Sequence, residues 1–457
     1  MAYPFIFTFV GALFTAAVAS AWVSGGAVAW LAGFIYIVYD SCILVLIARS
    51  GRAGIPKEAG PAPAPLPSVA VLIAARNERD ALPACLAALR AQFLQPDEVM
   101  VVDDGSTDGS VASLGSGWAL TFAGDLGTSA TWPRLRVLRK PHSGKARSLN
   151  EGLRRVQSAV VVTLDADTLL EPGAVAAVAD AFARDPKLAA AGGVLSPHCS
   201  TTAWGRFLEF HQTFEYLRGF VGRLAWARRD VLLLVSGAFS AFRRDVLAEL
   251  DGFDPESLVE DYDLIHRLHR RAMESGRQLR VQVLGDARAR TDAPGSPATF
   301  LAQRTRWFAG FLQTLARNRD MVGNRRYAPV GTVMLPVKAM DTLQPLYGLY
   351  GFATLAFWAA TRHPIAQLIV QVLVAKFAFD LAFHFYILAL YRRWLGVSLG
   401  ARFWLGSLVA TLTEPFVFQN LRHLGAALGW VAFLRRRIRW TPPAARAIQQ
   451  REYPPAR

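Results

Sequence analysis

Asp165 and Asp167 flank a single alanine directly after the apolar run Val160–Leu164. Two carboxylates at that spacing, at the end of a buried strand, can jointly hold a hard divalent cation that takes further ligands from phosphate oxygens. Spacing alone does not single them out, because Asp261-Tyr262-Asp263 repeats it. A second acidic strand end, Asp103-Asp104-Gly105-Ser106-Thr107-Asp108, follows Val99–Val102. It suits a strand-to-helix turn with Ser or Thr as N-cap, and it also suits acceptors for a ribose or the imide of a base. Ser143-Gly144-Lys145 lacks the full Gly-x-x-x-x-Gly-Lys-Ser/Thr pattern. It fits better as a basic loop near phosphates, with Asn150 on the helix that follows.

Three further groups lie downstream. Ser236-Gly237-Ala238-Phe239 follows Val231–Val235; small residues there let a backbone approach a ligand, or pack a tight turn. Glu260 and Asp261 precede a basic helix, Leu264–Arg271, where acidic charge is stabilised by the helix dipole whatever else it does. Gln303-Arg304-Thr305-Arg306-Trp307 opens an amphipathic stretch through Leu315. A cationic amphipathic helix at a membrane surface accounts for Arg304 and Arg306 without any catalysis.

The elements that must position these residues are short. Apolar runs at Val69–Ala74, Val99–Val102, Leu135–Leu138 and Val160–Leu164 alternate with helix-like stretches at Leu82–Leu89 and Ala146–Val156. That alternation predicts an α/β domain with a largely parallel sheet, whose ligands bind beyond the carboxyl ends of the strands. Both acidic strand ends then share one edge. The Gly-, Ser- and Thr-rich segment from Gly109 to Pro133 reads as loop with a weak helix.

The rest of the chain is apolar. Of 457 residues, 53% are hydrophobic and 19% charged, with a net charge of +15; soluble domains carry about 25% charged residues. This excludes disorder, and three widely spaced cysteines (Cys42, Cys85, Cys199) exclude a disulfide scaffold. Between Met1 and Ala48 the only charged side chain is Asp40, which predicts two membrane helices near Pro4–Val23 and Ala27–Ile47 rather than a signal peptide. Arg49, Arg52 and Lys57 then place the next segment in the cytoplasm. Further apolar stretches cover Thr342–Thr361, Pro364–Tyr391 and Phe403–Leu434. Arginines after the second and third want the cytoplasm, so Phe403–Leu434 is expected to bend back at Glu414-Pro415, or Tyr327–Met340 to add a membrane element. Lys376, Asp380 and His384 lie on one face of the middle stretch, as an ion pair or a polar passage. The expected division is residues 1–48 membrane helices, 49–67 a Pro-rich linker, 68–325 the α/β domain, 326–434 a second membrane region and 435–457 a basic cytoplasmic tail. The arginine clusters sit beside membrane stretches, so the basic charge does not imply nucleic acid.

In their order, Asp-Asp-Gly-Ser-Thr-Asp, Gly-Lys-Ala…Leu-Asn, Asp-Ala-Asp, Ser-Gly-Ala-Phe, Glu-Asp and Gln-Arg-Thr-Arg-Trp resemble the membrane-integrated family 2 glycosyltransferases. These include synthases of cellulose, hyaluronan, poly-N-acetylglucosamine and chitin oligomers. The resemblance covers roughly Val69 to Gln313 and implies a GT-A fold, Rossmann-like, inserted between membrane helices. It implies that Asp103 contacts uracil and ribose, and that Asp165 and Asp167 hold Mg2+ or Mn2+ on the diphosphate of a UDP-sugar. Lys145 is expected near the phosphates. Asp261 matches the catalytic base of the motif written Thr-Glu-Asp, with Val259 in place of Thr. Gln303, Arg306 and Trp307 match the Gln-x-x-Arg-Trp signature, which meets the diphosphate and the acceptor; Glu260 and Trp307 are expected on the acceptor side. A single base implies direct displacement with inversion. The implied protein is an inner-membrane, multi-pass synthase of a β-linked polysaccharide, with accessory export proteins as possible partners. A single-addition enzyme glycosylating a lipid and a non-catalytic sugar-nucleotide sensor or transporter are the alternatives. Only a short tail follows Leu434, an expectation against the regulatory barrel that cellulose synthases append.

Overall fold

The computed structural model describes residues 31–52 and 65–435. The expected span Pro4–Val23, most of the linker and all but the first residue of the basic tail lie outside them. Helix α1 (Leu31–Arg52) comes first. The first half of the sheet domain comprises β1 (Val69–Ala75), α2 (Leu82–Arg90), β2 (Glu98–Asp104), α3 (Ser110–Trp118), β3 (Leu120–Ala123), β4 (Leu126–Ser129), β5 (Leu135–Lys140), α4 (Lys145–Leu153) and β6 (Val160–Asp165). The second half comprises β7 (Thr168–Leu170), α5 (Ala174–Arg184), β8 (Leu188–His198), α6 (Ala203–Ala227), β9 (Phe239–Arg243), α7 (Arg244–Glu249), α8 (Glu260–Ser275), β10 (Arg280–Asp292) and α9 (Pro297–Arg317). Helices α10 (Leu335–Ala360), α11 (Pro364–Leu395), α12 (Ala401–Thr413) and α13 (Phe418–Leu434) follow.

One ten-stranded sheet runs β3-β4-β5-β2-β1-β6-β9-β8-β10-β7. Strands β5, β2, β1 and β6 are parallel. Their sequences are near-continuous apolar runs because helices cover both faces, and Val69 to Ile73 are all buried. The chain winds outward from β1 through β2 to β5, then returns to β6 on the other side of β1, which makes that strand end a topological switch point. Register fixes the site: Ala75 pairs with Asp103 on one side and Ala74 with Asp165 on the other. The two acidic strand ends therefore stand about 10 Å apart, two strand spacings, across β1.

Beyond β6 the sheet departs from the parallel expectation. Strand β9 runs antiparallel to both β6 and β8, and β7 antiparallel to β10. The segment Gly109–Pro133 holds the expected helix as α3 and adds the hairpin β3–β4 where loop was expected, with β4 antiparallel to β5. Its small polar residues carry weak propensities, and pairing with β5 decides their conformation.

Of the apolar stretches, Phe403–Leu434 breaks at residues 414–417. The break is tied to α6 by Arg218 Nη2, which donates to both carboxylate oxygens of Glu414 at 2.7 and 2.6 Å. Among the described residues no helix is long and apolar enough to cross a membrane; α12 and α13, at 13 and 17 residues, fall short of the ~20 that a span needs. The Lys376 side chain lies outside the described residues, while His384 is buried against Phe214, with ring centroids 6.1 Å apart. All three cysteines are free thiols.

Candidate active site

The loops after β1 and β2 are zipped together at the switch point. Asn77 N–H donates to Ser106 Oγ (3.0 Å), Thr107 N–H to Asn77 Oδ1 (2.8 Å), and Arg79 N–H to Asp108 Oδ2 (3.0 Å). Asp103 is buried and accepts from Ser106 N–H at 3.2 Å. Asp104 is spent on structure. It accepts from Lys140 Nζ (2.9 Å) and from the Ser143 and Gly144 N–H groups (2.8 and 2.9 Å), and its Oδ2 lies 2.7 Å from His142 Nδ1. Burial pushes its pKa up, but these partners outweigh burial and hold it at about 2. Gly105 has φ +73°, and a Cβ there would lie 2.8 Å from His142 N, so the turn between Asp104 and Ser106 requires glycine.

Lys145 opens α4 and reaches across to the other strand end. Its Nζ lies 2.6 Å from Asp165 Oδ1, 3.1 Å from Glu260 Oε1 and 3.5 Å from Gly237 O. Burial opposes its charge, and Asp165 and Glu260 more than restore it, raising its pKa. Asp167 Oδ1 is 3.4 Å from Thr291 Oγ1 and 3.5 Å from Thr168 Oγ1. Both carboxylates stand at the strand end as hard oxygen donors, the Asp165 side chain 34% exposed. No group of three or more potential metal-binding side chains exists among the described residues. Two carboxylates alone would leave most of a hard cation's shell to other oxygen donors, and Asp165 is already paired with Lys145.

Asp261, in the first turn of α8, is fixed from two sides. Gly237 N–H donates to Oδ2 at 2.6 Å and Tyr262 N–H to Oδ1 at 2.8 Å. Burial and the adjacent Glu260 charge push its pKa up to about 6, against Lys145 and the two amides. Glu260 moves the other way: burial raises it, but Lys145 and Arg306 outweigh burial and hold it below the usual range. Neighbouring carboxylates with opposed shifts are a recurring sign of divided acid–base roles.

Helix α9, started by a Ser296–Thr299 capping box with Pro297 in its first turn, clasps the segment leading into Glu260. Arg306 Nη1 donates to Leu258 O (3.0 Å), Leu258 N–H to Gln313 Oε1 (3.1 Å), and Arg317 pairs with Asp254 (2.6 Å). Val259 is buried and faces Gly310, so an apolar side chain at that position packs against α9. Gln303 Oε1 is buried without a partner. Trp307 is partly buried, and its ring is covered by the Arg304 guanidinium at 4.6 Å.

Thus Lys145, Asp165, Glu260, Asp261 and Arg306 are drawn together, Asp167 shares their strand end, and Asp103 stands one strand beyond β1. Gln303 and Trp307 lie on α9, the helix that carries Arg306. Three other side chains serve the structure. Arg304 is no surface cation: it is 5% exposed and paired with Glu215 at 2.6 Å. Asp263 is buried in an ion pair with Arg267 at 2.8 Å, so the second Asp-x-Asp does not offer two free carboxylates. Asn150 clamps the Phe253 backbone, donating to its carbonyl and accepting from its amide, both at 2.8 Å. Sequence reading missed His142, which bridges Asp104 to Arg76, its Nε2 3.0 Å from Arg76 Nη1; nothing in its local pattern marks it.

Residues 70–251 match the family model described as Glycosyl transferase family 2. The chain carries a family 2 glycosyl transferase domain. A poly-beta-1,6-N-acetyl-D-glucosamine synthase of Staphylococcus aureus (strain MSSA476) is 24% identical over 291 residues, 63% of this chain and 63% of that protein. The counterpart from Staphylococcus epidermidis is 25% identical over 203 residues, 44% and 45% of the two chains. The match thus spans under two thirds of these relatives' length. A mannosyltransferase from Pyrobaculum calidifontis, solved with GDP-Man and Mn2+, superposes with a TM-score of 0.57 at 22% identity, covering 89% of this chain and all of that one. The family 2 domain therefore has a GT-A-like fold, a mixed sheet flanked by helices.

Proposed function

We propose that this chain transfers a sugar, with inversion, from a UDP-sugar to a growing β-linked glycan, in a metal-dependent and processive reaction coupled to export through a membrane. The observation that carries this reading is Asp261, a half-buried carboxyl oriented by two backbone amides beside the Lys145–Asp165–Glu260 cluster at the sheet's switch point.

In this reading Asp103 receives the nucleoside, while Lys145 and Arg306 neutralise charge developing on the diphosphate. The acceptor hydroxyl oxygen forms a bond to C1 of the donor sugar as the C1–phosphate oxygen bond breaks. The hydroxyl proton passes to Asp261, and the electron pair leaves with the nucleoside diphosphate. A Mg2+ or Mn2+ ion held by Asp167 and Asp165 would supply Lewis-acid stabilisation of the leaving diphosphate. Trp307, with Glu260 nearby, would serve the acceptor. The mannosyltransferase neighbour's Mn2+ and the relatives' names support a divalent metal and make UDP-N-acetylglucosamine the first donor to try.

The proposed setting is the inner membrane, with residues 68–325 cytoplasmic between membrane segments 1–48 and 326–434, residues 435–457 as a basic tail, and accessory export proteins as partners. Large apolar side chains exposed on the C-terminal helices, among them Phe352, Phe357, Leu405 and Leu434, and Phe416 in the turn before α13, support contact with lipid. The test is nucleoside diphosphate release by detergent-purified protein across a panel of UDP-sugars with Mg2+ or Mn2+, using Asp261→Asn as control. Release with one sugar that vanishes in the variant names the donor. No release with any sugar, even after membranes are added, overturns the proposal.

A further inference from the structure

Where the β7 edge of the sheet meets the C-terminal helices, the chain encloses a cavity of about 230 Å³. Strand β10 bulges between Leu284 and Arg288, and the end of α11 packs onto the bulge: a Cβ at Gly285 would lie 2.9 Å from Trp394 Nε1. The register of β7 on β10, Leu170 against Ala289, sets Glu171 opposite Arg288, and Glu171 N–H donates to Arg288 O at 2.9 Å. Both side chains line the cavity with Tyr391 of α11, and Leu217 of α6 and Phe403 of α12 are among its apolar walls. Glu171, Arg288 and Tyr391 are all half-buried. Arg288 donates from Nε to Gly285 O (3.0 Å) and from Nη2 to Leu395 O (2.6 Å), which leaves Nη1 without an acceptor among the described residues. The Glu171 carboxylate and the Tyr391 hydroxyl make no hydrogen bond or ion pair among the described residues. An acid and a base thus face one cavity without pairing.

A guanidinium and a phenol offer N–H and O–H donors to an anion, whereas an ionised carboxylate only accepts and calls for N–H donors from a cation. A ligand that satisfies all three carries both charges on one short polar unit. The cavity is smaller than the roughly 300–1,000 Å³ that whole drug-sized ligands occupy, so it suits a headgroup whose remainder lies outside. The neighbouring helices say where that remainder goes. On α12, which has Arg402 in its first turn, Leu405, Val409 and Leu412 are 63%, 43% and 42% exposed and share one face. A short helix with that pattern lies in a membrane interface, and Arg392 and Arg393 end α11 at the same level. We infer that the cavity seats the headgroup of an aminophospholipid, its phosphate on Arg288 and Tyr391 and its primary ammonium on Glu171. An occupied cavity braces α11 and α12 against the sheet. This rests on the membrane setting proposed above and gives it one specific lipid site.

The test uses the full chain in detergent, stripped of native lipid and titrated with short-chain phosphatidylethanolamine, phosphatidylcholine, phosphatidylglycerol or free phosphoethanolamine, with Tm and bound ligand as readouts. Phosphatidylethanolamine should raise Tm saturably by about 3 °C, with half-saturation at least about fivefold below that of the other two lipids and about tenfold below that of free phosphoethanolamine. Glu171→Gln removes a carboxylate that has no partner, so the chain should fold, and the three lipids should then bind within about twofold of one another. Tyr391→Phe should weaken all three by about threefold. No saturable rise with phosphatidylethanolamine, or a preference for it that survives in Glu171→Gln, would overturn the site. Free phosphoethanolamine binding as tightly as the lipid would overturn the lipid as its source. Binding is read without turnover, so a chain that released no nucleoside diphosphate would overturn the proposed transferase and leave this site standing. A chain recovered from the soluble fraction would overturn the membrane setting, and this inference with it.

Discussion

At the sheet edge, carboxylates are held largely by nearby backbone: Asp103 by the amide three residues on, Asp104 by the loop at 140–144, and Asp261 by its own neighbour and Gly237. Among the helices the order comes from side chains meeting over long separations. Glu215 binds Arg304 and Arg422, 89 and 207 residues away, and Arg218 binds Glu414, 196 residues away. Backbone amides fix a charge whenever the strand forms, whereas the helical side depends on several elements docking together. Substitutions at the edge should therefore strike chemistry while sparing the fold, and substitutions on the helices should couple stability to product.

The largest effect belongs to the edge. Asp261→Asn keeps the shape and most hydrogen bonds but cannot take a proton, so transfer should fall by about 10³-fold or more while nucleotide binding survives. Normal turnover in the variant would reject Asp261 as base and erase the chemical half of the contrast. Next, Asp167→Ala should weaken donor affinity by at least about tenfold and flatten its dependence on Mg2+ or Mn2+. Unchanged metal dependence would move the cation elsewhere.

The helical side is broken at Glu215. Glu215→Gln leaves Arg304, whose side chain is 6% exposed, without its carboxylate, and removing one partner of such a pair costs about 3 kcal/mol. A lower Tm with shortened product and unchanged nucleotide affinity is the expected pattern. If Tm held, the claim that docking of α6, α9 and α13 supports the Trp307 face would fail. Trp307→Ala should shorten product without the loss of stability, which separates the platform from its support.

The same contrast explains what was legible before any coordinates. The four parallel strands, and the acidic residues at their ends, follow from apolar runs that halt at charged residues, a local pattern. The register placing Asp103 and Asp165 on either side of β1 needs only strand order. What escaped reading was non-local. Arg304 looks like a surface cation until Glu215, far away in sequence, is seen beside it. Strand β9 inserts antiparallel between β6 and β8, a pairing of segments far apart in sequence. The β3–β4 hairpin hides in a Gly- and Ser-rich segment, where β4 is held by its pairing with β5.

The smallest effect is also the sharpest probe of the edge. With its pKa pushed up to about 6 by burial and Glu260, Asp261 is protonated below that pH and a poor base. The kcat/KM, which reports groups of the free enzyme, should therefore fall about tenfold per unit as pH drops below 6, and level off above it. Glu260→Gln removes the like charge that raises Asp261, so the acid limb should move to lower pH by roughly one unit. Arg304→Met, acting on the helical side, should leave the limb where it is. A limb that stayed fixed in Glu260→Gln, or that moved in Arg304→Met, would show that the proton chemistry is not confined to the edge, and the edge and the helices would have to be treated as one coupled unit.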